Sequence, residues 1–206
     1  GGTPGVTNSG TITGYADGGL WEAPGYGIEA GSLSGSGSIV NSGTIDLTVI
    51  GQTSADAYGI ESDGMADTSS ITNSGSITLN VLNEVASSVE AYGLETGAMT
   101  GTASITNSGS IRLNVENKAV SNNDSGYAYG IYASSMGVGT NITNTGLIST
   151  SLKTEGDTEE AYAVYVGGGT GGSLTNSGTL VGGVFLGGAQ SLTNSGSIKT
   201  WHHSDT

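Results

Sequence analysis

Aliphatic and polar residues alternate with a period of two in several short segments of this chain. Residues 77–81 read Ile-Thr-Leu-Asn-Val, and the same alternation recurs at 45–49 and 111–115. This period places aliphatic side chains on one face of a strand and polar side chains on the other. No segment of ten residues keeps the 3.6-residue period of a helix convincingly, so the pattern predicts an all-β protein.

The strands follow a repeated motif, Asn-Ser-Gly or Asn-Thr-Gly. It begins at Asn8, Asn41, Asn73, Asn107, Asn144, Asn176 and Asn194. Successive copies are 33, 32, 34, 37, 32 and 18 residues apart, and a second motif, Tyr-Gly-Ile or a variant, precedes the next Asn by 14 or 15 residues. One arc of the repeat therefore has a nearly constant length, and the other arc holds the insertions. Such a repeat predicts stacked coils.

The shortest interval decides how many coils each repeat contains. Residues 176–194 run from one Asn motif to the next and contain Val-Phe-Leu-Gly-Gly at 184–188, which aligns with Val-Tyr-Val-Gly-Gly at 164–168 in the preceding repeat. This interval is therefore a complete repeat without the variable loop, and 18 residues can close one coil of a three-sided β-helix. We therefore predict a single-domain parallel β-helix, or β-solenoid, across residues 1–206, with about six coils of 18–37 residues. Stacking then aligns the Asn side chains in an amide ladder at a corner. The Gly of each motif is predicted to supply a positive φ at that corner.

Composition narrows the function classes. Four Lys and Arg residues against 18 Asp and Glu residues give a net charge of −14, which disfavours nucleic acid and anionic membrane as partners. Cysteine is absent and no apolar run approaches about 18 residues, so neither a disulfide framework nor a membrane-inserted segment is expected. The chain starts Gly-Gly-Thr, so we expect a mature or excised segment whose targeting piece has been removed.

One column next to the Tyr-Gly-Ile motif is a candidate interaction site. It holds Glu29, Glu61 and Glu95 in the first three coils and Tyr132, Tyr165 and Phe185 in the last three. These residues follow an inward aliphatic residue, so they are predicted to point outward. Stacked carboxylates repel, which favours a bridging cation such as Ca²⁺ or splayed, solvated side chains. The aromatic half suits sugar rings, a partner surface, another fibre or packing against a neighbouring loop.

The variable arcs are predicted to be acidic loops along one edge of the stack, used for binding or for solubility. They cover residues 14–25, 51–56, 83–90, 116–126 and 154–160. Catalysis is not expected and no catalytic residue is assigned. Arg112 and the three lysines are scattered, and His202 and His203 are adjacent with no Ser-Asp partner pattern.

The Thr-Asn-Ser-Gly-x-Ile coils with Ala-Tyr-Gly-Ile between them resemble the β-helical passenger regions of bacterial autotransporters and related surface adhesins. The resemblance covers residues 6–200. It implies a right-handed helix, export to the cell surface or secretion, and an adhesive or scaffolding role.

No amphipathic cap is visible at either end of the chain. We therefore predict either that the chain is a segment of a longer solenoid or that its free ends stack head to tail into a filament. The expected partners are other copies of the chain or a cell-surface glycan. The alternative is a glycan- or calcium-binding passenger module of a longer protein.

Overall fold

The computed structural model describes residues 5–19, 22–85, 88–118, 125–154 and 158–200, and these residues form β-strands without a helix. Sheet 1 consists of β1 (Gly5–Asn8), β4 (Ser38–Asn41), β7 (Ser70–Asn73), β10 (Ser104–Asn107), β13 (Asn141–Asn144), β16 (Ser173–Asn176) and β19 (Ser191–Asn194). Sheet 2 consists of β2 (Thr11–Asp17), β5 (Thr44–Gly51), β8 (Ser76–Asn83), β11 (Ser110–Asn117), β14 (Leu147–Thr154), β17 (Thr179–Val181) and β20 (Ser197–Lys199). Sheet 3 consists of β3 (Glu22–Ala30), β6 (Ser54–Ser62), β9 (Ser88–Met99), β12 (Ser125–Met136), β15 (Thr158–Val166) and β18 (Gly183–Leu186).

The chain visits the three sheets in turn, and each strand pairs in parallel with its equivalents in the coils above and below. The predicted all-β, three-sided parallel solenoid is therefore confirmed. The right-handed sense implied by the resemblance stays a prediction.

The core follows from the period-two pattern and from a register that places like residues on like residues. Ile39 pairs with Ile71, and Ile45 pairs with Ile77. These four side chains are wholly buried, and they belong to one continuous aliphatic core. The polar residues between them point outward, as the alternation predicts. Burial of aligned aliphatic columns is the main force that stacks the coils.

Insertions occur where the chain passes from sheet 2 to sheet 3, but the predicted loop bounds were wrong. Strand β6 already begins at Ser54 and strand β9 at Ser88. As a result Asp56, Glu90 and Glu160 lie on strands of sheet 3 rather than in loops. A polar outer face of a strand and a polar loop have the same composition, so composition alone could not separate them.

The motif glycines serve a different purpose from the one predicted. None of them has a positive φ among the described residues. Instead, a Cβ built on Gly109 would collide with the carbonyl oxygen of Gly75 in the preceding coil, and the same holds for Gly75 and Gly43. In the first coil a Cβ on Gly10 would meet nothing. Glycine is needed because successive corners stack too closely for a side chain.

Candidate functional site

The Asn column forms the predicted amide ladder. Asn73 Nδ2 donates to Asn107 Oδ1 at 2.8 Å, and Asn107 Nδ2 donates to Asn144 Oδ1 at 2.7 Å. The same bond joins every successive pair from Asn8 to Asn194, always from the earlier coil to the later one. The inner members are fully buried. Buried amides in this arrangement satisfy one another and fix the corner, so the column is structural.

A second pair of buried asparagines was not singled out from the sequence. Asn83 Nδ2 donates to Asn117 Oδ1 at 3.2 Å and to the carbonyl oxygen of Ser88 at 3.2 Å, and Asn117 Nδ2 donates to the carbonyl oxygen of Ser125. Both residues end a strand of sheet 2, 34 residues apart. These amides join the end of a sheet 2 strand to the start of the following sheet 3 strand. The spacing of 34 residues between Asn83 and Asn117 equals the spacing between Asn73 and Asn107, and this equality is the sequence signal that could have identified the pair.

The tyrosines of the Tyr-Gly-Ile motif, which marked the repeat in the sequence, form a column on the outer face of sheet 3. The column consists of Tyr26, Tyr58, Tyr92, Tyr129 and Tyr162. The rings of Tyr26 and Tyr58 stack with centroids 4.9 Å apart, and those of Tyr58 and Tyr92 with centroids 5.2 Å apart. Register over successive strands aligns the five rings along the axis of the solenoid. Tyr26, Tyr58 and Tyr92 lie face to face, whereas the Tyr92 and Tyr129 rings are tilted by 37°.

The predicted interaction column lies beside the tyrosines. Its members occupy equivalent positions, in the order Glu29, Glu61, Glu95, Tyr132, Tyr165 and Phe185. The Tyr132 and Tyr165 rings stack at 5.5 Å, and the Tyr165 and Phe185 rings at 4.7 Å. Phe185 is 39% exposed, whereas Tyr132 and Tyr165 are partly buried. The structure therefore brings these six residues into one column.

The carboxylates on this face have different surroundings. Tyr92 Oη donates to Glu90 Oε2 at 3.0 Å, and Tyr129 Oη donates to Glu160 Oε2 at 2.7 Å. By contrast, Oε2 of Glu61 and Oε2 of Glu95 are buried and accept no hydrogen bond from the described residues. Burial, with the charges of Glu61 and Glu90, raises the pKa of Glu95 to about 7. Burial, with the charge of Glu29, also raises the pKa of Glu61.

The geometry limits what the column can bind. Tyr165 stacks between Tyr132 and Phe185, so both of its ring faces are covered and it presents mainly its edges, whereas sugar rings pack on open faces. Among the residues that the structure describes, no three His, Asp or Glu side chains are grouped so that they could hold a metal ion. Glu29, Glu61 and Glu95 are spread along the axis, and Ca²⁺ binding there stays a prediction, as does glycan binding.

The outer face of sheet 2 holds an open depression of about 390 Å³ that includes Asn80, Asn114, Glu116 and Lys153. Lys153 Nζ lies 3.0 Å from Glu116 Oε1, and both side chains are well exposed. An exposed ion pair of this kind is a surface feature. No helix in the described part of the chain is long and apolar enough to cross a membrane.

The two end coils expose residues that are buried in the coils between them. In sheet 1, Val6 is 39% exposed and Leu192 is 44% exposed, whereas their equivalents Ile39 and Ile105 are fully buried. Asn194 is also exposed, and its Nδ2 donates to the carbonyl oxygen of Gly196 in its own corner. Each end face therefore presents apolar and amide groups of the kind that pair inside the stack.

Comparisons with models of known protein families, with curated proteins and with solved structures give no match.

Proposed function

We propose that this chain is an extracellular structural or adhesive β-solenoid of the autotransporter-passenger or surface-adhesin type, which stacks head to tail into a cell-surface or matrix filament. The observation that carries the proposal is the exposure of Val6 and Leu192 at opposite ends of an otherwise buried column. A further coil at either end would bury these side chains and extend all three sheets.

The direction of the ladders supports head-to-tail rather than head-to-head contact. All six Asn–Asn hydrogen bonds run the same way along the axis, and all strands are parallel. The two end faces are therefore different surfaces, and one cannot pair with its own copy in register. A contact between different surfaces that does not close into a ring generates a filament. The acidic lateral surface keeps such filaments apart from one another.

Electron microscopy and light scattering of the purified chain, measured across a range of concentrations, test the proposal. Seven strands in sheet 1 correspond to a rod of roughly 30 Å for one copy. We expect longer rods whose length increases with concentration. Monodisperse rods of about 30 Å at every concentration would contradict the proposal.

A pair of variants locates the contact. Leu192→Glu places a charge on the end face and should leave short rods only. Val138→Glu adds the same charge at a lateral position where Val138 is 75% exposed, so assembly should be unchanged. Equal assembly by both variants would show that this end face is not the contact.

A further inference from the structure

Aromatic and acidic residues are concentrated on the outer face of sheet 3. Eight of the nine tyrosines and the one phenylalanine of the chain lie on its strands. Six carboxylates with described side chains lie among them: Glu29, Asp56, Glu61, Glu90, Glu95 and Glu160. The sheet 3 strands contain no Lys or Arg. All four basic residues lie on sheet 2 strands or directly after one: Arg112, Lys118, Lys153 and Lys199.

The negative charge on this face is only partly compensated within the chain. Glu90 and Glu160 accept hydrogen bonds from tyrosine hydroxyls. Neither Glu61 nor Glu95 forms an ion pair with a described residue, and each has one buried carboxylate oxygen without a donor. Both side chains are only partly buried, so a group outside the chain can still reach the carboxylate. An uncompensated, half-buried carboxylate is stabilised by an incoming cationic donor.

Other occupants fit this face less well. Both faces of the Tyr165 ring are covered by its stacked neighbours, which leaves little open aromatic face for a sugar at that position, and no grouping suited to a metal ion occurs within the described ranges. A second copy of a chain with a net charge of −14 would bring like charges together. An arginine side chain meets the requirements, because its guanidinium carries several N–H donors that can bond the accessible oxygen of each carboxylate and its methylene stem can pack against ring edges.

We propose that the outer face of sheet 3 is a docking surface for an arginine-rich peptide segment, with Glu61 and Glu95 as the charged contacts and the neighbouring tyrosine edges as the apolar support. Equivalent positions on adjacent strands are about 4.8 Å apart, so Glu29, Glu61 and Glu95 form a line of charge about 10 Å long. An extended basic segment can follow this line. The inference goes beyond the proposed function, because it applies to a single solenoid as well as to a filament.

Calorimetric titration with octa-arginine at physiological ionic strength tests the inference, with circular dichroism to verify that each variant folds. At pH 8, above the raised pKa of Glu95, the double variant Glu61→Gln with Glu95→Gln keeps side-chain size and removes two charges from the face. The control, Asp46→Asn with Glu84→Gln, removes two charges outside sheet 3. We expect the first variant to lower the affinity about tenfold and the control to lower it less than about twofold.

Two results would overturn the inference. Equal losses in the two double variants would mean that the peptide responds to net charge alone. An unmodified chain that does not bind octa-arginine at this salt concentration would refute the surface altogether. Neither result depends on filament formation. If electron microscopy shows short rods only, the filament proposal fails, but the titration still tests the docking surface.

Discussion

The central member of the asparagine ladder gives the sharpest test of what holds the coils together. Asn107 accepts a hydrogen bond from Asn73 and donates to Asn144 Oδ1 at 2.7 Å and to the carbonyl oxygen of Leu147 at 3.3 Å. It is fully buried. The substitution Asn107→Ala removes these bonds. It leaves the donor Asn73 Nδ2 and the acceptor Asn144 Oδ1 without their ladder partner.

The expected cost follows from the number of groups affected. Each lost hydrogen bond contributes about 1 kcal/mol, and each buried group left without a partner costs about 1–3 kcal/mol. Asn73 Nδ2 keeps a weak bond to the carbonyl oxygen of Ser110 at 3.4 Å, which lowers the cost on that side. We therefore expect Asn107→Ala to lower the free energy of unfolding by about 3 kcal/mol.

Urea unfolding followed by circular dichroism measures this change, and Asn194→Ala is the matched control. Asn194 receives the same ladder bond from Asn176, at 2.7 Å, but it is exposed, so water can replace the lost amide. The control substitution Asn194→Ala should lower the free energy of unfolding by about 1 kcal/mol or less. Equal losses in the two variants, or a loss for Asn107→Ala within about 0.5 kcal/mol of zero, would refute the argument that the buried ladder stabilises the stack.

Further predictions concern the corner, the acidic column and the two proposals. Gly109→Ala should lower the thermal midpoint strongly because its Cβ meets the Gly75 carbonyl, whereas Gly10→Ala should have little effect; similar midpoints would contradict the close-approach argument. Because the folded-state pKa of Glu95 is raised from 4.5 to about 7, the folded chain holds more protons than the unfolded chain between these values. Stability should therefore fall as pH rises from 4.5 to 7, by about 1–2 kcal/mol after allowance for solvent screening, and Glu95→Gln should weaken this dependence. Urea midpoints at pH 4.5 and pH 8 measure this loss of stability in the unmodified chain and in the Glu95→Gln variant. An equal change in the two proteins would show that Glu95 does not cause the pH dependence. Leu192→Glu should prevent the formation of long rods, whereas Val138→Glu should still form them. The double variant Glu61→Gln with Glu95→Gln should bind octa-arginine more weakly than the unmodified chain.

The repeated local patterns were sufficient to predict the fold. The alternation at residues 77–81 and the equal arcs between Tyr and Asn specify strands and corners within one coil, and an 18-residue interval shows that a coil closes in that length. Stacking identical coils then aligns Asn73 with Asn107 without further information. The ladder could therefore be predicted because it depends only on the repeat.

The roles of the motif glycines and of the sheet 3 residues required the tertiary structure. Gly109 is constrained by a carbonyl 34 residues earlier, which a local turn preference does not reveal. Asp56, Glu90 and Glu160 were assigned to loops, because a solvated strand face and an insertion have similar composition.

The coil, its aliphatic interior and the asparagine corner could therefore be predicted from the repeat pattern, since each of them recurs along the chain. The side-by-side position of the tyrosine and glutamate columns on one face, with the basic residues elsewhere, follows from contacts between coils. The same contacts leave Glu61 and Glu95 half-buried, each with one oxygen that has no partner. The physical reason is that burial and charge pairing depend on neighbours from other coils, whereas alternation within a strand depends on the strand alone.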